Sequence, residues 1–231
     1  MLQCLGKQCA ASTHPCPYCE TEKPLMEKKK LNTVNSLIKH NDEWENSGKK
    51  RKNLKYFNNV EFKPLLTCNP DIPIHEVMNI PGLHLILGIT DKILQGFETM
   101  AFETKEKGVS EVNKFLNSIN LSRVVYQGQH RLEGNGCIKL LENVDKLERI
   151  VSDMSGFRYI QAFRSFKVCI DSCFGKELKP DYKEAIQTFC KDYKDLGLSV
   201  TVKVHILQCH VADFIEFKGG EYGKKEKCLD F

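Results

Sequence analysis

Apolar residues recur at intervals of three and four along most of the chain after Pro81, and this spacing places them on one face of an α-helix. The clearest run passes from Leu83 through Ile93 to Phe97. The alternation of apolar and polar residues that would indicate a series of strands is missing from the sequence, and so is a glycine-rich phosphate-binding loop. The periodicity therefore predicts a mainly α protein.

Several further helices follow from the same periodicity and from residues that favour helix ends. Asn135 is suited to an N-cap, Pro180 to the opening of a helix and Gly197 to its end. The aromatic and aliphatic side chains from Phe157 to Ile170 share one face and are expected to pack in the core. The predicted segments are Val109 to Ile119, Asn135 through Val144 toward Ile150, Phe157 to Ile170, Pro180 to Gly197 and Thr201 to Ile215.

The N-terminal part has a different character. Residues 1–75 are rich in lysine and interrupted by several prolines, and only one short polar helix, from Val34 to Trp44, is predicted there. We therefore expect an irregular, lysine-rich segment over residues 1–75 that contains a CxxC motif. The helical domain is expected over residues 76–231, ending in the segment that carries two histidines.

The composition narrows the class of protein. Of the 231 residues, 41% are hydrophobic and 28% are charged, a balance typical of globular proteins. A net charge of +4 permits contact with nucleic acid without requiring it. The sequence has no apolar run near the ~20 residues that span a bilayer, and its first residues are too polar for a secretory signal. A membrane or secreted protein is not expected.

Eleven cysteines are many for such a chain, and the number is odd. In a reducing compartment, clustered cysteines are more often metal ligands or buried thiols than disulfides. Free cysteine packs as a small hydrophobic residue, so we expect most of these thiols, including Cys137, Cys169, Cys173 and Cys190, to lie in the core.

The tetrapeptide Cys16-Pro17-Tyr18-Cys19 is the first feature with possible chemistry. Two thiols at this spacing can form a reducible disulfide or hold one edge of a tetrahedral zinc site. The tetrapeptide also looks like a glutaredoxin active site, but the residues before Cys16 do not form the buried strand that a thioredoxin-type site requires. Two unligated surface thiols are the third alternative.

The second feature is His205-Ile206-Leu207-Gln208-Cys209-His210, at the far end of the chain from the CxxC motif. Positions five apart on a regular helix point roughly 140° away from each other, so His205 and His210 do not share a face. Cys209 shares the face of His205 better. Either His205 acts with Cys209, or the helix begins or distorts between the histidines, or each histidine is structural.

A basic run, Lys49-Lys50-Arg51-Lys52, follows an earlier one at Lys28-Lys29-Lys30. Such a run is typical of a nuclear-import signal or of a loop that contacts phosphate groups. A solvated loop with no partner is an equally simple interpretation.

Taken in order, several segments resemble the catalytic core of the V(D)J recombinase and its relatives, the Transib-type transposases. Each motif is short, and the resemblance depends on their order and spacing over nearly all of the chain. The matching segments are the CxxC motif in Thr13 to Cys19, the Leu83-His84 pair within Ile80 to Gly88, the Gly134-Asn135 pair before Lys139-Leu140, the H-x₄-H pair His205 and His210, and Gly219-Gly220.

The resemblance implies that the CxxC and H-x₄-H motifs bind one zinc ion. The ligands would be Cys16, Cys19, His205 and His210, which favours His210 over Cys209. In that family the zinc site ties together a helical insertion within an RNase H-like nuclease. The two ends of this chain would thus be joined by the metal.

The family's chemistry requires three carboxylates that hold two divalent metal ions. The first lies on a strand well upstream of the CxxC motif, and the chain is expected to begin after it. The second corresponds to Pro81, which cannot bind a metal ion, and the third lies beyond Gly219-Gly220, where Glu226 is the nearest candidate. The resemblance therefore implies that this chain corresponds to the zinc-bound helical insertion and that most of the nuclease core is missing from it.

We interpret the chain as a transposase-derived, zinc-stabilised helical domain without catalytic activity, which binds DNA or another protein weakly and is located in the nucleus or otherwise in the cytoplasm. A thiol oxidoreductase with Cys16 as nucleophile and Cys19 as resolving thiol, or a fragment of an active transposase, remains the alternative. No membrane partner is expected, and the oligomeric state is open. The residues expected to contact DNA, weakly and without sequence preference, are Lys49, Lys50, Arg51 and Lys52, with Arg131 and Lys139 as lesser contacts.

Overall fold

Helices dominate the computed structural model, which describes residues 2–24, 27–66, 68–126, 128–151 and 154–219. Glu226 and Gly220 lie outside these ranges. Two three-residue strands, β1 (Val124–Tyr126) and β2 (Gln129–Arg131), pair in an antiparallel hairpin. The α-helices are α1 (Val34–Asn46), α2 (Ile74–Val77), α3 (Gly82–Met100), α4 (Lys105–Ser118), α5 (Gly134–Glu142), α6 (Val144–Leu147), α7 (Met154–Cys173), α8 (Tyr182–Asp195), α9 (Val202–Cys209) and α10 (Val211–Phe217).

The chain divides into two compact units. The first unit is built from two separate stretches, Met1–Ile80 and Ser199–Phe217, and the second unit contains Pro81–Leu198. The sequence-based division placed residues 76–231 in one helical domain. In the structure, the stretch that carries His205 and His210 packs with the N-terminal part instead.

The first unit is largely irregular, as the prolines predict. Its longest helix, α1, begins at a capping box in which the Thr33 side chain accepts from the Ser36 N–H and the Ser36 hydroxyl accepts from the Thr33 N–H. Leu37 and Trp44 on the inner face of α1 are buried. The predicted helix from Val34 to Trp44 is thus confirmed.

The second unit has an aromatic core built from α3, α7 and α8. Phe166 of α7 and Phe189 of α8 lie with their ring centroids 4.6 Å apart, and Phe97 of α3 makes edge contacts with Tyr159 and Phe163. The predicted core face of α7 is correct for Phe163 and Phe166, but Phe157 is 41% exposed because it lies in the first turn of the helix, at the edge of the face. Four cysteines of this unit are buried, as expected: Cys137, Cys169, Cys173 and Cys190.

Some helix ends differ from the prediction. α5 begins at Gly134 with Glu133 as its N-cap, so Asn135 is the second helical residue and not the cap. The same helix ends at Glu142, and the short α6 follows as a separate turn. Gly197 ends α8 as expected, with a φ of +68° that side chains rarely adopt.

The hairpin at Val124–Arg131 was not predicted, because three-residue strands are too short to produce a recognisable alternation.

Among the described residues, no helix combines the length and the apolar character needed to cross a membrane.

Close packing between α3 and α4 depends on Gly108. A Cβ atom at this position would lie 2.0 Å from the Glu98 carbonyl oxygen, a backbone atom that cannot move independently. At Gly136 in α5, the nearest atom would be 3.6 Å away, which is an ordinary contact. The two glycines are both buried and helical, so they form a matched pair.

We expect Gly108→Ala to lower the free energy of unfolding by about 2 kcal/mol or more, because α3 and α4 must separate. Gly136→Ala should raise it by about 0.5–1 kcal/mol, because alanine favours the helix. Urea denaturation followed by circular dichroism measures both. Equal effects of the two substitutions would contradict the packing described here.

Candidate metal centre

The CxxC loop is held in place by Asn32. Its side-chain amide donates to the Pro17 carbonyl oxygen at 2.9 Å, and its backbone N–H donates to the Tyr18 carbonyl oxygen at 2.9 Å. Cys19 also pairs with Leu31 in an isolated antiparallel bridge. Both thiols are fully buried, so the loop presents Cys16 and Cys19 to the interior of the first unit.

The two histidines lie on either side of a break between helices. Thr201 caps the start of α9 by accepting from the Val204 N–H, and α9 carries His205. His210 is the C-cap of α9, with φ −131° and ψ −22°, and α10 begins at the next residue. The helix therefore distorts between the histidines, which was one of the alternatives left open. This break removes the 140° separation that a regular helix would impose.

Four side chains converge on one point. The Cys16 Sγ lies 3.5 Å from the His210 Nε2, and the Cys19 Sγ lies 3.4 Å from the His205 Nε2. All four ligand atoms lie within 4.8 Å of one another, and all four residues are buried. This group can hold a metal ion.

The spacing fits a tetrahedral site. With metal–sulfur bonds of ~2.3 Å and metal–nitrogen bonds of ~2.0–2.1 Å, a sulfur and a nitrogen on one tetrahedral zinc ion lie ~3.6 Å apart. The two sulfur–nitrogen distances are close to this value. The Nδ1 atoms of His205 and His210 are buried and make no hydrogen bond within the described chain, so Nε2 is the nitrogen that the fold directs at the cysteines.

The four side chains of the group shift one another's pKa values. The pKa of Cys19 is lowered to about 2, foremost by its hydrogen bond with Cys16 and further by His205 and His210. Burial lowers the pKa of His205, but the bonds with Cys19 and Cys209 outweigh it and raise that pKa to about 9. Burial and the Cys19 thiolate raise the pKa of Cys16. The low pKa of Cys19 favours its thiolate form, which is the form that metals bind.

Cys209 is close to His205 but outside the group of four. It is partly exposed and influences the pKa of His205. The group of ligand atoms that lie within reach of one ion contains His210 and not Cys209. The structure thus brings together the four residues that the family resemblance implied.

A buried polar chain behind the loop was missed by the sequence analysis. The Lys7 ammonium donates to the Asn58 carboxamide oxygen at 2.8 Å, and the Asn58 amide donates to Asn32 at 2.9 Å. Burial lowers the pKa of Lys7 to about 8, against the opposing effect of the nearby Cys16 and Cys19. Lys7 and the two asparagines carry no motif, so no sequence signal could have found them.

The Tyr18 ring stacks at a tilt on His210, with 5.5 Å between the centroids. Its hydroxyl donates to the Asn79 carbonyl oxygen at 3.1 Å. Tyr18, one of the two residues between the cysteines, therefore packs on a histidine of the same group.

The residues predicted to contact DNA are divided between the units. Lys50, Arg51 and Lys52 are exposed in the first unit, where a 3₁₀ helix begins at Arg51 (Arg51–Phe57). The Lys49 ammonium donates to the Glu45 carboxylate at 2.8 Å. In the second unit, Arg131 pairs with Asp91 at 3.6 Å and Lys139 donates to the Asn120 carbonyl oxygen at 3.5 Å.

Comparison with known proteins adds no identification: no protein-family model matches this chain, and no curated protein matches it at a significant level.

We expect Asn32→Ala to destabilise the first unit by about 2–4 kcal/mol, because it removes a fully buried side chain and leaves the Asn58 amide and the Pro17 carbonyl oxygen unpaired. Asn35→Ala is the matched control, since the Asn35 side chain bonds Asp71 at the surface. Its effect should stay within about 0.5 kcal/mol. Chemical denaturation compares the two, and an equal loss would show that Asn32 does not hold the loop.

Proposed function

We propose that Cys16, Cys19, His205 and His210 bind one zinc ion and that this ion is structural. The observation that carries the proposal is the convergence of two sulfur and two imidazole nitrogen atoms at tetrahedral spacing in a buried position. Two cysteines and two histidines form a donor set typical of structural zinc sites. Four protein ligands leave no position for water or substrate, so the site is suited to stabilising the fold and not to catalysis.

The ion would join the two stretches of the first unit. Cys16 and Cys19 belong to Met1–Ile80, whereas His205 and His210 belong to Ser199–Phe217. Because 186 positions separate Cys19 from His205, bringing these stretches together carries a large loop-closure entropy. Apparent binding free energies of structural zinc sites, about 10–16 kcal/mol in small peptides, are large enough to offset it.

Full burial of both thiols argues against the thiol oxidoreductase. A cysteine nucleophile must reach its substrate, but Cys16 and Cys19 are both 0% exposed and contact imidazoles.

We expect His210→Ala to release the zinc ion and Cys209→Ala to retain it. Removing an imidazole leaves three ligands, whereas Cys209 lies outside the group of four. Metal content after dialysis, measured by inductively coupled plasma mass spectrometry, distinguishes the two variants. Loss of zinc in Cys209→Ala together with full retention in His210→Ala would show that the ligands are wrongly assigned.

In the same proposal, the protein is a transposase-derived, nuclear helical domain that has no nuclease activity of its own. The order of the CxxC, Leu-His, Gly-Asn and H-x₄-H motifs supports this origin. Asp91, a carboxylate near the Leu83-His84 pair, is engaged with Arg131, and such pairing disfavours a role in binding divalent metal ions.

Weak contact with DNA would come from the exposed cations Lys50, Arg51 and Lys52 of the first unit. Lysine and arginine neutralise phosphate groups without reading bases, so binding would be non-specific. Lys49 is already paired with Glu45 and would contribute less.

The triple variant Lys50→Gln/Arg51→Gln/Lys52→Gln should bind duplex DNA more weakly than the unmodified protein. The slope of log affinity against log salt should become shallower by about 2.7, because three phosphate contacts are lost. Fluorescence anisotropy at several salt concentrations measures the slope. The control variant Lys114→Gln/Lys176→Gln/Lys191→Gln removes the same charge from exposed positions of the second unit, and an equal change there would contradict the assignment.

A further inference from the structure

A groove of about 970 Å³ runs between α3 and α4 in the second unit. One face of α3 and one face of α4 form the two walls of the groove. The polar residues of each wall recur at helical spacing. The residues are Lys92, Gln95 and Thr99 on α3 and Lys105, Asn113 and Asn117 on α4.

The groove carries two lysines that no described carboxylate pairs with. Among the described residues that line it, Glu98 is the one carboxylate, and it is buried in an ion pair with Arg123. Lys92 and Lys105 form no hydrogen bond or ion pair with any described residue. Two positive charges therefore face the groove without a counter-charge.

Other lysines of α4 behave differently. Lys107 pairs with Glu103 at 3.3 Å, and Lys114 pairs with Glu111 at 2.7 Å, both outside the groove. Lys105 occupies the first position of α4, where the helix dipole disfavours a cation. Glu106 in the same turn offsets this placement only in part, since it forms no ion pair with Lys105, and an anion in the groove would add to that compensation.

The groove also offers apolar contact. Val109, Leu116 and Leu198 lie among the polar side chains of its lining. Its floor is fixed, because Gly108 lets α4 approach the Glu98 carbonyl oxygen closely. Pockets of about 300–1,000 Å³ hold ligands larger than a simple anion. The lining therefore matches a ligand with an anionic group, hydrogen-bonding edges and a flat apolar body.

We propose that this groove binds an organic phosphate of nucleotide size, with Lys92 and Lys105 contacting the phosphate group. The amides of Gln95, Asn113 and Asn117 bond the edges of the ligand. A free mononucleotide and a nucleotide within a single strand share this chemistry. The proposal concerns the second unit alone and does not depend on the metal centre.

The experiment titrates the full-length protein, as purified, with adenosine monophosphate, with uridine monophosphate, with a ten-nucleotide single strand and with inorganic phosphate, by isothermal calorimetry. Lys92→Gln/Lys105→Gln is compared with Lys107→Gln/Lys114→Gln, which removes the same charge from exposed positions of α4. A third variant, Asn117→Asp, adds a negative charge at an exposed position of the groove. Helical circular dichroism and the midpoint of urea unfolding are measured for each variant, because a variant that keeps both has folded.

We expect saturable binding of a mononucleotide or of the strand. The affinity should fall about tenfold or more in Lys92→Gln/Lys105→Gln and in Asn117→Asp, and should change less than twofold in the control. Binding of the mononucleotide identifies a free small ligand, and binding of the strand alone identifies a nucleic acid. Absence of binding, an equal loss in the control, or inorganic phosphate binding as tightly as the nucleotides would overturn the proposal.

Discussion

The burial of two thiols and two imidazoles at one point is the constraint on which the first unit depends. Polar and ionisable side chains lose hydration when they are buried, and this loss is unfavourable unless they find partners. Within the group, hydrogen bonds with its neighbours lower the pKa of Cys19 to about 2 and raise that of His205 to about 9. A metal ion bound by all four side chains would satisfy their donor atoms at once.

The rest of the first unit gives a reason for such a centre. Much of it is irregular, and isolated bridges such as Lys7 with Val60 and Thr33 with Pro73 take the place of a sheet. Domains with little regular structure and a small core commonly need a disulfide or a metal ion. The buried chain from Lys7 through Asn58 to Asn32 holds the CxxC loop, so the ligands are oriented by hydrogen bonds as well as by the helix break at His210.

The second unit is organised by different forces. Aromatic packing around Phe97, Phe163 and Phe166, with α3 and α4 in close contact at Gly108, provides an apolar core. The four residues of the candidate metal centre belong to the first unit and not to this core. Among the described residues, Lys92 and Lys105 of the groove have no ionic partner. Unpaired cations at a surface change the free energy of unfolding little, so the core can tolerate them.

The sequence predicts the helices well because their apolar residues recur over long stretches, as from Leu83 to Phe97. It does not predict the hairpin, whose strands are too short, or the exposure of Phe157. The sequence leaves the break at His210 as one of several alternatives, because neither glycine nor proline marks it. The family resemblance selected His210 over Cys209, but Asn32 and Lys7 depend on contacts between residues distant in sequence, which no local pattern reveals.

X-ray absorption spectroscopy at the zinc edge, on protein purified without added metal, tests the central claim most directly. The account predicts one zinc ion per chain with two sulfur neighbours at ~2.3 Å and two nitrogen neighbours at ~2.0–2.1 Å. A metal-free protein that is fully folded, or a zinc ion surrounded by oxygen atoms or by three sulfur atoms, would contradict it.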